Sequence, residues 1–449
     1  MVFIFSEVFF FNKTVLFKQQ TFIFVSVNML IIGSGAREHA FAWKIFNSYQ
    51  NVNLFISNSS PGTIKIAKSL TFDINNFSDL KNSIIENNIQ LVLVGPEIPL
   101  INGVCDFIKN DSQISHVNVI GPSKFGAQLE GSKEFAKKFM SRHNIPTASY
   151  NSFDIKSIDD AILFLKNNSA PYVLKADGPA AGKGVVIVDN LNDAISNLKE
   201  MLVDSKFGAS SNKVVIEEFL TGIEMSCFVL FDGINYKILP YAKDYKRIGE
   251  GDRGLNTGGM GSVSPVNFLD INLRDKIEKQ IVVPTINGLI KEKINYVGFI
   301  FIGLINVNGS PKVIEYNVRM GDPETQVVLP RIENDFMEIL NACCNQSLDQ
   351  IDLQFNPEYY TNVVLASGGY PEKYDKGFEI SGLENVEDSI IFHAGTALKN
   401  NKIVTNGGRV LSIVSSDKDM NEALKKSYSN IDNINFDRKV FRKDIGFDL

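Results

Sequence analysis

The chain has 449 residues, 44% of them hydrophobic and 21% charged, with mean hydropathy of −0.01; that length asks for two to four packed cores and excludes a single one. A formal net charge of −6 gives no general attraction to nucleic acid or anionic membrane, so bound phosphate must be met by a local cluster of cations. Cysteines at 105, 227, 343 and 344 lack C-x-x-C spacing and the four histidines lack H-x-x-x-H spacing, which excludes a disulfide framework, argues against zinc and suits a reducing cytoplasm.

Met1 to Asn28 is crowded with phenylalanine, but Glu7, Asn12, Lys13 and Lys18 interrupt the apolar runs, none of which reaches the roughly 18 residues that span a bilayer. The segment reads as a spurious upstream start or a disordered extension; a cleaved targeting segment would need arginine and a small-residue cleavage site. In residues 29–130, Leu30–Ile32, Leu54–Ile56, Leu91–Val94 and Val117–Ile120 predict buried strands, each followed by a turn and an amphipathic stretch. That alternation predicts a doubly wound parallel sheet with helices on both faces. Gly121-Pro122-Ser123 precedes one predicted helix from Lys124 to His143, stopped by Pro146.

Residues 131–355 form the next predicted unit, with a small lobe over about 150–220. Tyr172–Ala176, Gly184–Asp189, Val214–Glu217 and Met225–Phe231 read as antiparallel strands, and Gly249 to Gly261 carries too little apolar content for a core element. Val297–Asn306 and Val313–Val318 flank Asn308-Gly309, a hairpin signal. Cys343 and Cys344 lie in an apolar helical pattern and are read as core. A last α+β unit, 356–449, has short strands at Asn362–Ala366, Ile390–His393 and Arg409–Val414.

Several segments carry chemistry. Gly33-Ser34-Gly35-Ala36-Arg37-Glu38 lies between a strand and a helix, where backbone N–H groups favour an anion; Glu38 stands where a dinucleotide loop needs its third glycine, and Arg37 suggests a single phosphate. Lys175 leads into Gly178-Pro179-Ala180-Ala181-Gly182-Lys183-Gly184, a hairpin tip whose lysines and free N–H groups suit a polyphosphate; the Walker spacing is not met. Glu217-Glu218 ends a buried strand before Leu220 and Glu224, where backbone groups can read a purine edge and a carboxylate can accept from an amine or hydroxyl. Strand alternation puts Glu315, Asn317 and Arg319 on one face, a hard-oxygen pair for Mg²⁺ with a guanidinium beside it to neutralise a transferring phosphoryl group. Gly321-Asp322-Pro323-Glu324 extends that polar reach, and Asn256-Thr257-Gly258-Gly259-Met260, with four glycines between 254 and 261, can wrap a small ligand.

The runs GSGAREHAFAWK (33–44), LVGPEIPL (93–100), KADGPAAGKGVV (175–186), VVIEEFLTGIEMS (214–226), NTGGMGSVSP (256–265), VIEYNVRMGDPETQ (313–326), HAGT (393–396) and TNGGRVL (405–411) resemble, in order, those of the phosphoribosylamine–glycine ligase family of ATP-grasp enzymes. The resemblance covers the chain from Met29 almost to its end. It implies a doubly wound N-terminal unit, a two-lobed ATP-grasp unit and a small C-terminal unit. It further implies ATP-dependent joining of glycine to 5-phosphoribosylamine through glycyl phosphate, in purine biosynthesis, with Mg²⁺ or Mn²⁺ and no nucleic-acid or membrane partner. On this reading Glu315 and Asn317 hold the metal, and Lys175, Gly182, Lys183, Gly184, Glu217, Glu218, Leu220 and Glu224 hold the nucleotide. Arg319 and Lys183 act on the phosphoryl group, while Gly35, Arg37, Glu38, Pro96, Glu97, Asp322 and the segment 256–260 face the other substrates, the sugar phosphate lying at Gly33–Arg37 and Gly95–Glu97. A cytoplasmic monomer is expected. Two features depart from the family pattern: Tyr245 stands where a histidine is expected, and Gly303–Asn306 offers no further metal carboxylate, leaving two protein ligands.

Overall fold

The computed structural model describes residues 4–11, 14–21, 26–47, 51–180 and 184–449, the first two segments as backbone only. Within the expected extension, Ile4–Phe11 pairs antiparallel with Thr14–Thr21, and Val27 and Asn28 already belong to the first strand of the next sheet.

Along Val27–Ile32 the side chains alternate between two cores. Leu30 and Ile32 pack with Leu80, Ile84, Val104 and Ile108, whereas Met29 and Ile31 pack with Ala40, Phe41 and Ile45. A strand apolar on both faces needs cover on both, which the flanking helices provide. The result is the expected parallel sheet, with the four predicted strands and a fifth, Lys68–Leu70, in the order Lys68–Leu70, Val52–Ser57, Val27–Ile32, Leu91–Val94, Asn118–Ile120.

The single helix predicted over 124–143 is two: Gln128–Gly131 and Lys133–Arg142. The break falls at Ser132, whose backbone is extended and whose hydroxyl caps Phe135 N. Asp177 fixes the corner, accepting from Ser132 Oγ at 3.0 Å and from Glu134 N at 2.8 Å.

The small lobe is an antiparallel sheet ordered Val185–Val188, Tyr172–Ala176, Lys213–Glu217, Tyr150–Asp154. Ile158–Lys166 and Leu191–Leu202 cover one face through Ala161, Leu165, Leu198 and Met201. The large lobe is a second antiparallel sheet ordered Tyr236–Ile238, Ile223–Phe231, Gly298–Val307, Ser310–Asn317. Its central hairpin turns at Asn308 and Gly309, with φ of 50° and 81°, the left-handed pair that Asn-Gly favours.

The third sheet crosses the expected boundary. Lys243–Asp244 and Gly261–Ser264 join Tyr359–Ser367, Arg409–Asp417 and Ser389–His393 in one antiparallel sheet, packed on Met420–Asn433. Gly261–Ser264 is a wholly buried strand that starts at the last residue of the stretch Gly249 to Gly261, whose exposed residues 250 to 255 hold no core element, as expected. Its side chains are small, and its Ser262 and Ser264 hydroxyls are satisfied by the carbonyls of Pro323 and Tyr241. Cys343 is buried as expected. Among the described residues no helix is long and apolar enough to cross a membrane.

Candidate active site

The small lobe, large lobe, N-terminal unit and C-terminal sheet meet around one cavity of about 1030 Å³. At its nucleotide end, Lys175 lies at the root of the hairpin formed by Tyr172–Ala176 and Val185–Val188, with Ala176 N donating to Gly184 O at 2.8 Å. Pro179, Ala180 and Gly184 line the cavity; Gly182 and Lys183 lie outside the described residues. Glu217 closes the strand Lys213–Glu217, and its Oε2 bridges Lys175 Nζ at 2.9 Å and Lys137 Nζ at 3.1 Å. Burial opposes the Glu217 charge, but the two ammonium groups hold its carboxyl below the usual range. Burial also pushes Lys137 down to about 8, against the pull of Glu217. Among the described residues Glu217 Oε1 is buried without a partner, an open acceptor for a ligand amine or hydroxyl. Glu218, Leu220 and Glu224 line the same wall.

Lys133 and Lys137 also face this cavity, and sequence reasoning missed both. Their spacing of four along Lys133–Arg142 puts them on one helix face, but in Lys-Glu-Phe-Ala-Lys-Lys that face reads as solvated. Burial lowers Lys133, offset in part by Glu315.

Glu315 and Asn317 end the strand Ser310–Asn317 on one cavity wall, with Arg319 just beyond the strand. Asn317 Oδ1 accepts from Arg319 Nη2 at 3.1 Å, and that guanidinium is anchored by Glu130 Oε1 at 2.6 Å. Glu130, a third residue missed in the sequence, also accepts from Val318 N at 2.8 Å, so it fixes the strand end that carries the pair. Burial raises its carboxyl, opposed by Arg319. A carboxylate and an amide oxygen two residues apart fit a hard divalent ion whose other ligands are phosphate oxygens and water. Beside them, Lys246 Nζ bonds Glu224 Oε2 at 2.8 Å. Burial opposes the Lys246 charge, yet Asp244, Glu224 and Glu315 raise its pKa.

At the opposite end the first glycine loop differs from expectation. Glu38 Oε2 accepts from Gly35 N at 2.7 Å, and its carboxyl fills the space over Gly33 and Gly95. The helix N-terminus thus holds the protein's own anion, and Gly35 and Glu38 do not form the open phosphate site expected of them. Gly35, Glu38 and Pro96 lie behind the cavity wall, whereas Arg37 and Glu97 line it. Arg37 is buried, with Nε 2.7 Å from Glu38 Oε1. Burial opposes its charge, but Glu38, Asp322 and Glu97 fix it as a cation.

The glycine segment 256–260 does not wrap a ligand with free N–H groups either. Thr257 N donates to Lys246 O, Gly258 N to the Tyr370 hydroxyl, Gly259 N to Thr257 Oγ1 and Met260 N to Tyr245 O. Asn256, Thr257 and Gly258 line the cavity; Gly259 and Met260 pack behind it. The C-terminal unit supplies the bracing: Arg409 Nη1 donates to Gly258 O and Asp322 O, both at 2.7 Å, and Nη2 lies 3.1 Å from Asp322 Oδ2. Arg409 and Tyr370 went unrecognised because nothing local ties them to residues 256–258; they converge only through the shared sheet. Tyr245 is buried away from the cavity, its hydroxyl 2.9 Å from Asp448 Oδ1.

Two antiparallel lobes facing each other across lysines, a strand-end acid and a Glu–Asn pair define an ATP-grasp protein. Family models for the phosphoribosylglycinamide synthetase N domain, ATP-grasp (A) domain and C domain match residues 27–130, 131–325 and 360–448, and the chain belongs to that family. It is 40% identical over 426 residues to a phosphoribosylamine–glycine ligase of Pseudomonas aeruginosa, covering 94% of this chain and 98% of that one. A bifunctional purine biosynthetic protein of Pichia angusta is 43% identical over 426 residues, and the match spans 93% of this chain and about half (53%) of that longer one. The crystal structure of a phosphoribosylamine–glycine ligase from Thermotoga maritima superposes with a TM-score of 0.80 at 34% identity, covering 93% of this chain and 100% of that one.

Proposed function

We propose that this chain joins glycine to 5-phosphoribosylamine, with ATP converted to ADP and phosphate, to give glycinamide ribonucleotide in purine biosynthesis. The observation that carries the proposal is the single cavity in which a Glu–Asn strand end, buried lysines and the Arg37–Asp322–Arg409 network meet. A carboxylate is a poor acyl donor at neutral pH. The glycine carboxylate takes the γ-phosphoryl group, giving glycyl phosphate; the amine of phosphoribosylamine then forms the C–N bond as the C–O bond to phosphate breaks and the amine loses a proton.

Such transfers need positioning and charge neutralisation above all. Lys133 and Lys175 hold the phosphates, and Glu217 Oε1 with the backbone of Glu218–Leu220 receives the adenosine part. Glu315 and Asn317 hold Mg²⁺ or Mn²⁺, which when bound neutralises the terminal phosphates. Arg319, braced on Glu130, aligns Asn317 and faces the transferring group. To the segment joining Tyr172–Ala176 and Val185–Val188, with Lys183, we assign the exclusion of water that would hydrolyse glycyl phosphate. Arg37, Glu97, Asp322 and Asn256–Gly258 border the two co-substrates. We infer a cytoplasmic monomer; the four free thiols suit a reducing compartment.

Phosphate release should require glycine, freshly formed phosphoribosylamine and a divalent ion together. Release without glycine, or release driven by another carboxylate or by bicarbonate, would assign the site to a different ATP-grasp reaction.

A further inference from the structure

The hairpin Arg247–Gly249/Arg253–Asn256 edges the cavity through Arg247, Asp252 and Asn256. It has little burial of its own: residues 250 to 255 are exposed, including Leu255. A lone two-stranded hairpin is marginal in water, so something else must hold it. The contacts come from the last eight residues. Arg442 has a side chain with 0% exposure; its Nη1 lies 2.6 Å from Asp252 Oδ1 and donates to Arg247 O at 3.2 Å. Its Nε and Nη2 engage both oxygens of Asp444 at 2.8 Å, and Asp444 Oδ2 accepts from Gly251 N at 2.7 Å. The guanidinium stands 5.2 Å from the Tyr245 ring and 5.7 Å from the Phe447 ring. Asp448 completes the row, bonding the Tyr245 hydroxyl and lying 3.1 Å from Lys243 Nζ at the cavity edge.

We propose that Arg442 is a positioning residue for the reaction. Through Asp252, the Arg247 carbonyl and Asp444, it fixes the 247–256 hairpin, so that the C-terminal tail sets the affinity for the co-substrates bordered by that hairpin. The proposal rests on the cavity being the ligation site. Arginine suits the task because its flat, always-charged fork can take both oxygens of Asp444, reach Asp252 and stack on rings in one fixed geometry; a lysine ammonium cannot reproduce that bidentate fork.

The test uses Asp252→Asn, which keeps a residue tolerant of the left-handed backbone at 252 (φ 52°), together with Arg442→Lys. Hydrogen exchange of the 247–256 amides should accelerate roughly tenfold in both, while Ile223–Phe231 keeps its wild-type protection. With ATP saturating, KM for glycine or phosphoribosylamine should rise roughly tenfold while kcat stays within about twofold, because the lost interaction serves binding alike in ground and transition states. The double variant should be no worse than Arg442→Lys alone, since both changes cut the same contact. Unchanged hairpin exchange, exchange raised equally throughout the fold, or unchanged KM for both co-substrates would overturn the proposal. A wild-type chain without glycine-dependent turnover would sink the functional reading instead, and the exchange experiment would still report on the tail.

Discussion

Replacing Glu217 by glutamine keeps the shape of the nucleotide wall and removes the one anion that two buried ammonium groups share. Lys137 and Lys175 both touch Glu217 Oε2, so their nitrogens are at most about 6 Å apart, and at an effective dielectric near 20 they repel by roughly 3 kcal/mol. Two charge-assisted hydrogen bonds of about 1.5–3 kcal/mol each are lost as well. One release limits the damage: Lys137 sits at about 8 even with Glu217 pulling it up, so in the variant shedding its proton at pH 7 costs at most about 1.4 kcal/mol. The net expectation is a loss of about 3–5 kcal/mol, as when one partner of a buried pair is removed, or ~10 °C in the melting of the small lobe. Two further readouts set the sign. Unfolded lysine titrates near 10.5, while burial holds Lys137 below that and further below once Glu217 is gone, so as pH rises toward 10.5 the unfolded chain binds more protons than the native one and the variant regains stability. ATP should rescue the variant more than the wild type, because its phosphates replace the missing anion. Thermal unfolding with and without MgATP at pH 7 and 9 measures all three. A loss below about 1 kcal/mol, or a larger loss in Lys137→Met than in Glu217→Gln, would refute the reasoning.

Glu315→Ala and Asn317→Ala should each lower kcat by about 10²–10³-fold, and near-normal turnover of either at low Mg²⁺ would remove the metal assignment. Burial, reinforced by Asp244, pushes the Glu324 carboxyl up to about 8. The native state therefore holds an extra proton between about 4.5 and 8, and this contribution, complete below 4.5, fades as pH rises through 8. Unfolding of the wild type compared with Glu324→Gln across that range should show the slope; parallel curves would contradict it. Gly259 adopts φ of 113° with its open side against the Pro323 ring, so Gly259→Ala should lose roughly 1–3 kcal/mol. An alanine variant melting with the wild type would show that this turn is not constrained as described.

What the sequence made legible was whatever a local pattern could carry. Strand alternation put Glu315 and Asn317 on one wall, and the glycine-rich run after Lys175 announced a hairpin with that lysine at its root. Three kinds of feature stayed hidden. Lys137 and Glu130 sit on helices whose composition looks solvated, and only the fold shows that their partners are Glu217, on a distant strand, and Arg319, just beyond another. The break at Ser132 depends on Asp177, 45 residues further on. The glycine loops misled in the opposite direction: Gly35 and Gly258 look like free donors until Glu38 and Tyr370 are seen to take their N–H groups.

The chain leaves the large lobe to lay Lys243–Asp244 and Gly261–Ser264 into the C-terminal sheet before returning to it. Severing the backbone near residue 356 would therefore not release an intact module. Tyr359–Ser367 would lose the neighbour that pairs with it from Gly261 to Ser264 and present bare amides and carbonyls to water and to other chains, an invitation to aggregate. Gly261–Ser264 has to wait unpaired until Tyr359–Ser367, about a hundred residues further along the chain, has been made, so the two halves of this sheet mature together or not at all.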